Sequence, residues 1–66
     1  MRVVFIVSDT DDEVAVDLPF LPVIGHAVSF PVHGEWVEAE YEITDVGYSL
    51  DIDCVLEYVA VHVKPI

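Results

Sequence analysis

Carboxylates are the residues of this chain whose type and spacing invite chemistry. In the stretch EWVEAEYEIT, Trp36, Glu38, Glu40 and Glu42 alternate with Val37, Ala39, Tyr41 and Ile43. Successive side chains of a β-strand point to opposite faces, so the pattern predicts one apolar face and one face carrying a tryptophan followed by three glutamates. Same-face residues sit roughly 6.6 Å apart, which makes a regular anionic line. That step is of the order of the spacing between phosphates along a nucleic-acid strand, whose charge a basic groove is built to hold. A large aromatic at the end of such a line suits an interface anchor. The plain alternative is a solvated strand face. Soluble sheets normally mix cations among such acids, because neighbouring like charges repel, yet no lysine stands between Arg2 and Lys64. Glu38, Glu40 and Glu42, with Trp36 as anchor, are therefore candidate binding residues.

Other acids are weaker candidates for chemistry. Asp51 and Asp53 stand at strand spacing and extend the candidate surface. A carboxylate pair can do acid–base work, but a small barrel whose inward positions are filled leaves little room for a substrate, so no enzyme activity is expected. Asp9 to Glu13, DTDDE, has aspartates at alternating positions like the start of a calcium loop. It lacks that loop's glycine at the sixth place and its late bidentate glutamate, and reads as an acidic β-turn. His26, His33, His62 and Cys54 match no zinc spacing. Cys54 sits among apolar residues and acids, surroundings that do not favour a thiolate nucleophile. No metal and no cofactor are expected.

These side chains need elements to position them. The 66 residues suffice for one domain, residues 1–66, near the lower size at which a single core sustains a fold. A hydrophobic fraction of 55%, rich in Val, Ile, Phe and Tyr, argues for a folded β protein and against an acidic disordered tail. RVVFIVS, residues 2 to 8, predicts a strand apolar on both faces. The DTDDE turn follows, and Val14, Val16 and Leu18 then form one face of a second strand, which completes a hairpin. Pro19, Pro22 and Gly25 mark an irregular connector into a third strand, His26 to Val32, with Pro31 at an edge or bulge. His33-Gly34 predicts a tight turn into the glutamate strand.

After Thr44, the residues Asp45 and Gly47 either bend one long strand or break it. Val46, Tyr48, Leu50 and Ile52 form one alternating apolar set, with Gly47, Ser49, Asp51 and Asp53 opposite. The last run, CVLEYVAVHVK, predicts a central or closing strand with a bulge at Glu57. The resulting expectation is an all-β fold, a small antiparallel barrel of five to six strands or a strongly bent sheet. The proline- and glycine-containing entry LPVIG, a strand, a tight turn and two further strands, over about residues 20 to 63, resemble the layout of small SH3-like barrels.

Charge narrows the partners. Thirteen Asp and Glu against two basic residues give a formal net charge of −11, which excludes direct binding to phosphate backbones and favours basic protein surfaces. A single cysteine rules out an internal disulfide. The N-terminal apolar run is too short for a signal peptide or a membrane span, so the expected location is cytoplasmic. In size, acidity and lack of catalytic residues the chain resembles phage-encoded inhibitors of host defence, the acidic DNA mimics and some anti-CRISPR proteins. That resemblance implies a non-enzymatic inhibitor, monomer or homodimer, that blocks a CRISPR effector or other basic nucleic-acid-binding protein at DNA or PAM recognition. The alternative is a small SH3-like assembly module whose acidity only keeps an apolar barrel soluble.

Overall fold

The N-terminal hairpin forms as its pattern dictates. In the computed structural model, which describes residues 1–32 and 40–66, β1 is Arg2–Val7 and β2 is Glu13–Asp17. They pair antiparallel, with Phe5 opposite Val14 and Val3 opposite Val16. The turn between them is closed by its own polar groups: Val7 N–H donates to the Asp12 carbonyl, Asp11 N–H donates to the Val7 carbonyl, and Thr10 Oγ1 donates to Asp12 Oδ2. Asp11 takes a φ of 59°, a left-handed conformation that aspartate tolerates better than most residues. The DTDDE acids thus build a turn.

Three further strands complete one sheet: β3, Ala27–Val28; β4, Tyr41–Leu50; and β5, Leu56–Pro65. The order across the sheet is β2-β1-β5-β4-β3, and the sheet curls into a half-barrel. The all-β expectation holds, but a purely antiparallel arrangement does not. β1 and β5 run parallel, with Val3 beside Val59, Phe5 beside Val61 and Val7 beside Val63. Val4 and Ile6 of β1 and Ala60 of β5 keep their outer faces partly apolar, both strands take inner places in the sheet order, and the connecting elements return the chain in the same direction. The expected third strand is also shorter than His26 to Val32. Among the described residues only Ala27 and Val28 pair with β4, and Pro31, which has no N–H to donate, lies outside that ladder.

β4 does not break at Asp45 to Gly47: it is one long strand that runs on to Leu50, bent by a bulge just ahead of them. Ile43 faces Val63 while Asp45 faces His62, so Thr44 is an extra, bulged residue, and its Oγ1 donates to the His62 carbonyl at 3.1 Å. The bulge explains how Ile43 and Val46, an odd number of positions apart, share the inner face. A second irregularity falls at Glu57, as anticipated: Ser49 faces Tyr58, but Leu50 faces Leu56.

The concave face holds the core, formed among the described residues by Val3, Phe5 and Val7 of β1, Val59, Val61 and Val63 of β5, Tyr41 and Ile43 of β4, and Phe30. Phe30 stacks between Phe5 and Tyr41, with ring centroids 4.7 and 4.8 Å apart, and so pins the irregular 18–31 segment to the sheet. Gly25 assists from the same segment. At a φ of +92°, open to glycine and strained for other residues, it lets His26 N–H reach the Val23 carbonyl while Gly25 N–H donates to the Ile43 carbonyl.

Candidate functional site

Of the six candidate binding residues, Trp36 and Glu38 lie outside the described residues. The same is true of the His33-Gly34 turn and the inward pair Val37 and Ala39; Tyr41 and Ile43, the other half of that inward set, are buried as expected. Glu40 is exposed just ahead of β4, where its carbonyl accepts the Ile66 N–H and extends the β4–β5 ladder. Glu42 points outward between the buried Tyr41 and Ile43, and across the strand pair its Oε1 lies 3.3 Å from Lys64 Nζ. One carboxylate of the row is thus partly neutralised by one of the two basic side chains. Such exposed pairs contribute about 0–1 kcal/mol.

Asp51 and Asp53 occupy a different place from the one their spacing suggests. β4 ends at Leu50, and both aspartates belong to the turn joining it to β5. Glu42 and Asp51 are nine positions apart along an extended chain, on the order of 30 Å, in a molecule whose longest dimension is 39 Å. The acids therefore fall into two groups at opposite ends of β4. Asp51 also holds its turn together, since its Oδ1 accepts the N–H of Asp53 at 2.8 Å and of Val55 at 3.0 Å. Replacing Asp51 by alanine leaves two turn donors to water and costs about 1 kcal/mol. The expected readout is a lower urea midpoint, together with faster amide exchange at Asp53 and Val55. Unchanged exchange there would show the carboxylate to be idle.

The same turn displays apolar side chains that simple alternation assigns to the interior. Tyr48 is 59% exposed, Leu50 54% and Ile52 98%, and Val55 and Leu56 are exposed beside them. The cause is strand length. β1 begins at Arg2, and Val3 is level with Val59, so beyond Tyr58 the β4–β5 pair continues as a two-stranded ribbon that pairs with no third strand among the described residues. A register between distant strands sets this overhang, and alternation within one strand carries no trace of it.

A cleft is the other feature that the sequence pattern does not reveal. Because the sheet stops at a half-barrel, the inward positions do not fill the space between its concave face and the 18–31 segment. A cavity of about 500 Å³ opens there, lined by Phe5, Val16, Leu18, Phe20, Pro22 and Phe30 among others. The expectation that a small barrel leaves little room for a pocket is corrected accordingly. His26 and Ser29 are the polar side chains along its described wall. Cys54 is exposed in the β4–β5 turn, six or more residues along β5 from His62, and His26 lies on the connector. Among the described residues no three His, Cys, Asp or Glu side chains gather in a metal-holding group.

No family model, curated protein or solved structure matches the chain.

Proposed function

We propose that the chain is a non-enzymatic inhibitor that docks on the basic, nucleic-acid-binding surface of another protein, a CRISPR effector or similar defence protein, and occupies it in place of DNA. The observation that carries this reading is the imbalance of charge at the surface. Asp9, Asp11, Glu13, Asp17, Glu40, Asp45, Asp53 and Glu57 are all exposed, on a body with a formal net charge of −11 and only Arg2 and Lys64 as basic side chains. A field of that sign steers the molecule toward lysine- and arginine-rich clefts and away from nucleic acid itself.

The test is competition. A guide-loaded CRISPR effector is incubated with labelled duplex and increasing amounts of the chain, at low and at physiological salt. Displacement of duplex should be strong at low salt and fall steeply as salt rises. Glu40→Lys with Glu42→Lys, both at exposed or half-exposed sites, should weaken displacement by about tenfold or more while leaving the fold intact. Undiminished displacement by that variant would remove the glutamate row from the interface.

A second reading, an SH3-like assembly module, is favoured by a specific observation: Phe20, Leu21, Val23 and Ile24 of the connector are exposed, as are the apolar residues of the β4–β5 turn. Assembly through such surfaces would be nearly indifferent to salt, which separates the two readings in the same experiment.

A further inference from the structure

We infer that the end of the β4–β5 ribbon is an apolar plug for a socket rimmed with lysine or arginine on a partner protein; the inference rests on the reading that the partner is basic. Tyr48, Leu50, Ile52, Val55 and Leu56 form one exposed apolar group at this end of the molecule. Leu50 and Leu56 are directly paired, because the irregularity at Glu57 brings Leu56 onto Leu50's position. Ile52, almost fully exposed, gains nothing from folding where it stands, since burial of apolar area is what rewards a side chain of this kind.

The turn that carries Ile52 is nevertheless well ordered by bonding. Asp51 N–H donates to the Val55 carbonyl, Cys54 N–H donates to the Asp51 carbonyl, and Asp51 Oδ1 takes two further N–H groups. Cys54 accepts a φ of 62°, a conformation that costs a non-glycine residue, to complete the loop. A loop already fixed in its projecting shape loses little freedom on docking.

Charge selects the occupant. Residues 50–57, LDIDCVLE, carry three acids and no lysine or arginine. A second copy of the chain meeting this end with its own would set aspartates and glutamates against each other. A neutral apolar surface would leave them facing no counter-charge. An apolar socket edged with cations satisfies both parts of the plug, with a central apolar anchor and a charged rim.

Two peptides of equal charge test this, one alternating lysine with leucine and the other lysine with serine, each titrated into the isotope-labelled chain and followed by amide chemical shifts. The leucine peptide should shift residues 48–56 most and bind about tenfold tighter than the serine peptide. The variant combining Leu50→Ser with Ile52→Ser, at sites already exposed, should keep the wild-type melting temperature and bind both peptides alike. If the leucine peptide keeps its advantage in that variant, or shifts the Glu40–Glu42 region or the cleft instead, the plug is wrong and the basic-partner reading stands. Binding of neither peptide at low salt would overturn both. A wild-type dimer in sedimentation that the double variant abolishes would assign the plug to a second copy and overturn the inference.

Discussion

Phe30→Ala should remove most of the chain's stability at 25 °C. Phe30 is the central ring of the Phe5–Phe30–Tyr41 stack and is 4% exposed. Removing a buried phenylalanine side chain costs about 3–5 kcal/mol, the loss of transfer free energy plus the cavity left behind. A domain of this length has a total stability of roughly 3–10 kcal/mol at typical values per residue. The substitution therefore takes away most of the margin. Its effect is enlarged by position, since Phe30 ties the 18–31 segment to the sheet, and the space it vacates opens directly into the cleft. Phe30→Leu keeps most of the apolar volume and should retain the fold with a loss of about 1–2 kcal/mol. Urea unfolding followed by circular dichroism distinguishes the pair. A Phe30→Ala chain with the wild-type midpoint would mean that the ring stack is not part of the core.

Salt should stabilise the protein. Two opposing effects are involved, and their sizes decide the sign. Salt screens the Glu42–Lys64 pair and the pair between the Met1 ammonium and Asp17, each an exposed contact worth about 0–1 kcal/mol at most. It also screens the mutual repulsion of a small body carrying a net charge of −11, in which acids in excess of cations crowd within a radius of gyration of 11.9 Å. The Debye length falls from about 30 Å at 0.01 M to about 8 Å at 0.15 M, so charges across the whole molecule interact at low salt and only near neighbours do at physiological salt. Repulsion over the full surface outweighs exposed pairs of this kind. A net gain of about 1 kcal/mol corresponds to a rise of about 4–8 °C in Tm for a domain of this size. Thermal melts in sodium chloride measure it, and a Tm that is flat or falls over this range would show that the acids are locally compensated.

Local pattern was enough for local structure. The run RVVFIVS, the DTDDE turn and the Val14, Val16, Leu18 alternation identify the first hairpin, because each of its contacts lies within a short span of sequence. Tyr41 and Ile43 are inward, and Glu57 marks an irregularity, for the same reason. The bulge at Thr44 was also visible in principle: Ile43 and Val46 are three positions apart, a spacing that no regular strand places on one face. The parallel pairing of β1 with β5 was not legible, since alternation says which side of a strand is apolar and nothing about its neighbour. The exposure of Leu50 and Ile52 follows from that unseen register, as does the separation of Asp51 and Asp53 from the glutamate row. The open cleft depends likewise on a sheet that does not close.

The pairing of β1 with β5 also bears on how the chain is made. Val3 finds its parallel partner only at Val59, so β1 waits for a strand that is made well after it. A ribosome adds about 5–20 residues per second, and a contact of this sequence separation cannot form until β5 has been made. The topology is accordingly one of high contact order, which slows folding and prolongs the time that strand edges stay open. During that interval Val3, Phe5 and Val7 lack the β5 strand that pairs beside them. The acids of the nascent chain, useless to the core, then keep unfinished molecules from adhering to one another.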